Sequence, residues 1–103
     1  MSVKQTLIYW RDIPSQVIVQ RGRKREKAML SARFQEAIDR AAMRAGRGSS
    51  DQYLEDWRRV STNHTGSPGE AARAEAERLE KTFDDGLLEK MIKAGGKSVA
   101  EGG

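Results

Sequence analysis

Apolar residues alternate with polar ones near the front of this chain and recur every third or fourth position behind it. Val3–Trp10 is rich in β-branched and aromatic residues and predicts a strand, with Leu7 and Tyr9 on one face and Ile8 and Trp10 on the other. Asp12, Ile13, Pro14 and Ser15 have turn chemistry, because proline fixes φ and the Asp carboxylate bonds nearby amides. Residues 17–21 predict a second, antiparallel strand, with Val17 and Val19 opposite Ile18. Gly22 offers a further turn. Residues 24–30 then return as a third strand of a meander, although REKAML also suits a helix.

From residue 31 the spacing becomes helical. Ser31 predicts an N-cap for a helix through residue 45, with Phe34, Ala37, Ile38, Ala41 and Ala42 on one face and Arg33, Arg40 and Arg44 on the other. Gly46 and Gly48 end it. Its alanine stripe allows close approach, so this helix is expected to cover one face of the meander. Ser50 or Asp51 predicts the cap of a short helix, DQYLEDWRRV, followed by a polar loop over residues 61–66. Ser67, Pro68, Gly69 and Glu70 form a capping box with proline at the first helical position. The helix it opens, residues 70–83, carries Leu79 and Phe83 as its only large apolar residues, so it leans on or extends from the core. Asp84, Asp85 and Gly86 break it, and residues 87–94 form a last amphipathic segment.

These elements predict an α+β fold, a two- or three-stranded antiparallel meander packed against helices. Residues 1–60 are expected to form the core domain, 61–94 a helical C-terminal extension and 95–103 a disordered tail. At 103 residues, 37% hydrophobic and 33% charged, the chain can build only a thin core. That leaves no room for a deep enclosed substrate cavity. There is no cysteine, which excludes disulfides, thiolate catalysis and thiolate-held metal or iron–sulfur centres. The first ten residues lack the pattern of a signal peptide, and no run of about 20 apolar residues is present, so a soluble cytoplasmic protein away from membranes is expected. Net charge is +4, with cations concentrated in the first half and carboxylates in the second. Such a balance permits nucleic acid or an acidic partner without requiring either.

Three blocks, YWRDIPSQVIVQRGR, RFQEAIDRAAMRAG and DQYLEDWRR, resemble a small bacterial family labelled "virulence factor". The resemblance covers about residues 7–60, and the sequence is also similar to the C-terminal part of the longer conserved virulence factor C proteins. No catalytic residues come with it. The family's free-standing members sit among genes for folate-linked one-carbon metabolism. The resemblance therefore implies an accessory subunit whose partner is a methylenetetrahydrofolate reductase or a corrinoid methyl-transfer protein. Residues 61–103 fall outside it.

The residues with chemical potential each have an ordinary alternative. Arg21, Arg23, Lys24, Arg25 and Lys27 suit phosphate, but also suit an acidic protein surface or a guarded strand edge. Nucleic-acid modules usually interleave stacking aromatics with such cations, and this run has none. One of Trp10 and Trp57 is expected to anchor a partner. His64 is a lone histidine in a polar loop and reads as solvated. Asp12 beside Arg11 reads as a turn cap, and Gly46–Gly48 before Asp51 lacks the lysine of a phosphate loop. Asp84, Asp85 and the glutamates of the preceding helix lack the spacing of a divalent-metal loop. No catalytic, metal or cofactor set emerges. The sequence thus predicts a non-catalytic interaction protein docking onto a larger metabolic enzyme through Trp10, Arg11, Arg21, Arg23, Lys24 and Arg25. A basic nucleic-acid-binding module is the alternative, and a subunit completing a partner's active site with Arg11 or Asp12 is a third.

Overall fold

The meander expected at the front of the chain forms, and a fourth strand joins it. The computed structural model describes residues 3–64 and 67–98. Strands β1 (Val3–Trp10), β2 (Ile13–Arg21) and β3 (Lys24–Met29) precede helices α1 (Ala32–Arg44) and α2 (Ser50–Glu55). Strand β4 (Trp57–His64) and helices α3 (Pro68–Thr82) and α4 (Asp85–Lys93) complete the order. The strands form one antiparallel sheet in the order β3-β2-β1-β4, which makes β3 and β4 its edges. The expected α+β fold is present, with four strands where two or three were expected.

The β1–β2 turn is tighter than its proline suggests. It consists of Arg11 and Asp12, and Pro14 already lies within β2, opposite Tyr9. Ile8 faces Gln16 and Tyr9 faces Pro14, so Ser15 is an extra residue, a β-bulge. A proline lacks the donor a central strand requires, and a bulge is where that lack is tolerated. The Ser15 carbonyl accepts instead from the Leu30 amide at 3.2 Å. Arg11 takes a left-handed φ of 54°, rare for a side chain of its size. It is held there by its amide donating to Asp56 O and the Asp12 amide donating to Gly96 O, each at 2.9 Å.

Val3, Leu7, Val17 and Val19 are buried on one face of the sheet. The helix along that face is α3, against β2 and β3, and not α1 as its alanine stripe suggested. Ala72 and Leu79 of α3 are buried, Ala71 and Ala76 half-buried, and the small residues let the helix sit close to the strands. Gln5 Nε2 ties the sheet to it by donating to Glu75 at 3.1 Å. Ala72 and Leu79 of α3 and Leu88, Met91 and Ile92 of α4 thus belong to the same buried cluster as the strands. Helix α1 packs mainly on α4 and touches β2. Phe34 meets Phe83 edge-on, and the Arg33 guanidinium lies over Phe34 while donating to Glu80 and to the carbonyls of Glu80 and Phe83. Ser31 precedes α1 but does not cap it with its side chain; its amide and hydroxyl both go to Glu80. Ser67 makes no side-chain cap bond either, whereas Asp84 caps α4 by accepting from the Leu87 amide at 2.8 Å.

The segment expected to begin a disordered tail is docked as far as it is described. Gly95 and Gly96 are buried, and the Ser98 amide donates to Asp12. The remainder of that tail, residues 99–103, lies outside the described residues, as do residues 65–66 and the side chain of His64. Gly96 has a φ of +93°, and a Cβ on it would fall 2.6 Å from the Trp10 ring.

Gly96→Ala is therefore expected to destabilise the protein by about 1–3 kcal/mol, read as a lower urea midpoint at unchanged slope. A similar loss at Gly48, where a Cβ meets nothing within 4 Å, would contradict this cause. Acid should also weaken the fold. Burial alone raises the carboxyls of Asp12, Asp56 and Glu80, but hydrogen bonds from Ser98 and Arg58, from Arg47 and Arg11, and from Ser31 and Arg33 outweigh it and lower all three. A lowered folded pKa gives stability that is complete above the ordinary values of 3.8 for Asp and 4.5 for Glu and is lost as pH falls through the folded values. Unfolding free energy from urea titrations should hold steady near neutrality and decline below those values. Asp56→Asn should be less stable near neutrality, with a shallower acid decline.

Candidate functional site

One face of the sheet carries the core, and the alternation of side chains puts a different set on the other. Strand register aligns that set in rows across all four strands. Asn63, Lys4, Gln20 and Arg25 form one row, Ser61, Thr6, Ile18 and Lys27 the next, and Arg59, Ile8, Gln16 and Met29 the third. Thr6, Ile8, Gln16 and Ile18 are half-buried and the edge residues are exposed, Met29 to 61%. The rows contain four cations and no carboxylate. Glu26, the one acidic residue of β3, lies opposite Val19 on the other side.

Six arginines elsewhere in the fold are held in ion pairs, and the cations of this face are not. Arg11 and Arg47 share Asp56, Arg33 binds Glu80, Arg40 binds Glu89, Arg58 binds Asp12 and Arg78 binds Glu75. Among the described residues, none of Lys4, Arg25, Lys27 and Arg59 takes part in an ion pair. Their field is therefore directed outward and not spent within the fold. Thr6 and Ser61 share a hydroxyl–hydroxyl bond of 3.0 Å between β1 and β4. Gln16 is less settled: its Oε1 is buried and accepts no hydrogen bond. It sits at a hollow of about 310 Å³ lined by Ile8, Trp57, Arg58 and Arg59. A buried acceptor without a donor costs about 1–3 kcal/mol, which an incoming donor would recover.

The residues expected to bind a partner fall into two groups. Trp10 is wholly buried. Its indole N–H donates to Tyr53 O at 2.9 Å, Tyr53 stacks on its ring at 5.9 Å, and the Arg11 guanidinium lies 5.2 Å from its centroid. Arg11 bonds Asp56 and the Gly95 carbonyl. These two side chains are packed and bonded within the fold. Arg21, Arg23, Lys24 and Arg25 are exposed around the Gly22 turn at the tip of the β2–β3 hairpin. Only Arg25 of these belongs to the open face; Arg21 and Lys24 pair with each other on the far side of the pleat. Trp57, the other tryptophan, is half-buried at the rim and meets Tyr53 edge-on at 5.7 Å.

Sequence reasoning missed Lys4 and Arg59 as members of this surface. They are 55 positions apart with no local pattern linking them, and only the Lys4–Asn63 and Ile8–Arg59 register brings them to one face. Lys4 was accessible in principle from the parity of β1, since it alternates with Val3 and Gln5. Arg59 was not, because its strand reads as a helix. Among the described residues, no group of three or more Asp, Glu or His is arranged to hold a metal ion, and no helix is long and apolar enough to cross a membrane.

The division between structural and presented residues has a measurable consequence. Trp10→Ala is expected to cost about 3–5 kcal/mol of stability, as large buried aromatics do. Arg59→Ala should stay within about 0.5 kcal/mol of the parent, as unpaired surface side chains do. Thermal and urea unfolding of the two variants, side by side, measure this; comparable losses would show Arg59 to be structural.

A protein-family model described as "Virulence factor" matches residues 8–92. No curated protein and no solved structure matches the chain. The match runs well beyond residue 60 and takes in β4, α3 and nearly all of α4, so those elements are family features and not particular to this protein. Since it spans most of the sequence, with the last three residues of β1 and all of β2, β3 and β4, the chain belongs to the virulence factor family.

Proposed function

We propose that this chain is a non-catalytic accessory protein that docks onto an acidic surface of a larger protein through the open face of its sheet. The observation that carries this is the set of four unpaired cations, Lys4, Arg25, Lys27 and Arg59, on a face with no carboxylate and with Ile8, Ile18 and Met29 between them. Apolar residues flanked by like charges suit a contact in which charge selects the partner and speeds encounter while burial of the centre holds it. The unsatisfied Gln16 oxygen gives such a contact a fixed polar point.

Two readings compete with it. A nucleic-acid surface of this architecture uses aromatics at the centre of the sheet as stacking platforms. Here the central positions are Thr6, Ile8, Gln16 and Ile18, and the aromatics of the next row, Trp10 and Trp57, are both packed on Tyr53. A subunit that completes another enzyme's site with Arg11 or Asp12 would need those groups free, and both are bonded within the chain. The family resemblance nominates a folate-linked or methyl-transfer enzyme as the first partner to try, and it alone supports that choice.

The test is co-purification of the tagged protein from its native lysate at moderate salt with nuclease present, beside the double variant Lys4→Glu, Arg59→Glu. One protein should co-purify in stoichiometric amount with the parent and be lost with the variant, whose circular dichroism and melting should remain close to the parent's. A partner retained equally by both would defeat the sheet-face proposal. Binding removed by nuclease alone would transfer the face to nucleic acid.

A further inference from the structure

The open edge of β3 runs beside a groove that lies toward α3 and meets the docking face only at Lys27 and Met29. Helix α3 overhangs this edge, and between them lies a groove of about 490 Å³, within the range of ligand clefts. Ala28, Ala72 and Ala76 give it an apolar floor, and Met29 stands exposed at one end. Gly69 lies by Glu26 and Glu80 by Ser31, so α3 and β3 run in the same direction. The helix spans about 18 Å from Gly69 to Lys81, which matches five or six residues of extended chain.

The backbone of β3 is oriented to receive such a chain. The two-residue turn at Gly22 and Arg23 closes on the Arg21–Lys24 pair, and antiparallel pairs then alternate between bonded and non-bonded. Lys24, Glu26 and Ala28 thus bond to β2, while the amides and carbonyls of Arg25, Lys27 and Met29 point away from the sheet. An added strand would bond to these three residues. Its side chains would alternate between the apolar groove and the open face beside Arg25 and Lys27.

Charge decides among the occupants. A second copy pairing through the same edge would set Lys24, Arg25 and Lys27 against their own equivalents, and like charges opposite each other are destabilising. A phosphate chain would meet a lining of mixed charge, in which Glu26, Glu77 and Glu80 offset Lys27, Arg73 and Lys81. A peptide with apolar residues toward the alanines and acidic residues toward Arg25 and Lys27 meets neither obstacle. We infer that the β3–α3 groove binds an extended peptide segment of a partner protein, alternating apolar and acidic residues, as a fifth strand of the sheet. The strand addition stands on the edge and the groove alone; the choice of acidic side chains rests also on the basic face proposed above.

A fluorescein-labelled peptide of about nine residues with Val and Glu alternating is the probe. It should bind by fluorescence anisotropy, and N-methylation of every second residue should weaken it about tenfold or more by removing backbone hydrogen bonds. In the nitrogen-15 amide spectrum of the intact chain, the largest shifts and new exchange protection should fall on Arg25, Lys27 and Met29. Ala76→Arg, which fills the groove from the helix side without touching the strand, should abolish binding. No binding at millimolar peptide, or equal binding of the N-methylated peptide, would overturn the inference. Shifts confined to Thr6, Ile18 and Arg59 would place the peptide on the open face, leaving the docking proposal standing and the strand addition refuted. Displacement of the peptide from the β3 amides by a thymidine oligonucleotide would overturn the inference by assigning the edge to nucleic acid.

Discussion

The packing of Trp10 is the constraint on which the rest of the structure depends. Its ring is stacked on Tyr53 of α2, its N–H is bonded to the Tyr53 carbonyl, and the backbone of Gly96 presses on its edge. Three distant parts of the chain therefore meet on one indole: the end of β1, the short helix before β4, and the segment after α4. The neighbouring turn reinforces the same junction, because Arg11 reaches both Asp56 and the Gly95 carbonyl. A small core with few large residues concentrates its specificity in such a residue. The left-handed backbone at Arg11 persists because the contacts around it over-determine the geometry.

Around that junction the charges are divided by role. On the helical side, Arg33, Arg40, Arg44, Arg47 and Arg78 are joined to carboxylates or carbonyls, sometimes to several at once, as Arg33 is to Glu80, Asp85 and the Phe83 carbonyl. On the open side of the sheet they are left without partners. Surface ion pairs contribute little singly, but those at Asp56 are partly enclosed and bridge elements far apart in sequence. The unpaired cations add nothing comparable to folding, which is why the sheet face reads as a surface for contact. A long-range field of one sign, set over Ile8 and Ile18, distinguishes it from the mixed charges of α3.

Much of the architecture was legible in the order of residues. The alternation in residues 3–10 and 17–21 gave the first two strands, and the stripe from Phe34 to Ala42 gave α1 to within a residue of its end at Arg44. What failed were places where tertiary contact overrides local preference. Residues 57–60 continue a helical pattern and 61–64 read as loop, yet Trp57–His64 becomes a strand because β1 has a free edge and Trp57 can lie opposite Trp10. Polar α3 appeared unable to bury much of itself, but alanine suffices where a helix lies flat on valines. Gly95 and Gly96 looked like tail chemistry; their lack of side chains is what lets the backbone reach Trp10. At the candidate site, the hairpin cations were visible as a run, but membership of the open face depends on strand parity and on a strand that was not expected.

The closing contacts also bear on how the protein is made. Asp12 bonds the backbone of Gly96 and Ser98, and Arg11 that of Gly95, across separations of 84 residues or more. During synthesis the β1–β2–β3 hairpins emerge first and can pair at once, since their contacts are local. Trp10 cannot be covered until α2 and then residues 95–98 have left the ribosome. For most of translation, then, the nascent chain displays an uncapped tryptophan and an unpaired β1 edge. The edge is closed once β4 has emerged and the tryptophan only when Gly95 and Gly96 follow, so the two gaps close in the order of the sequence.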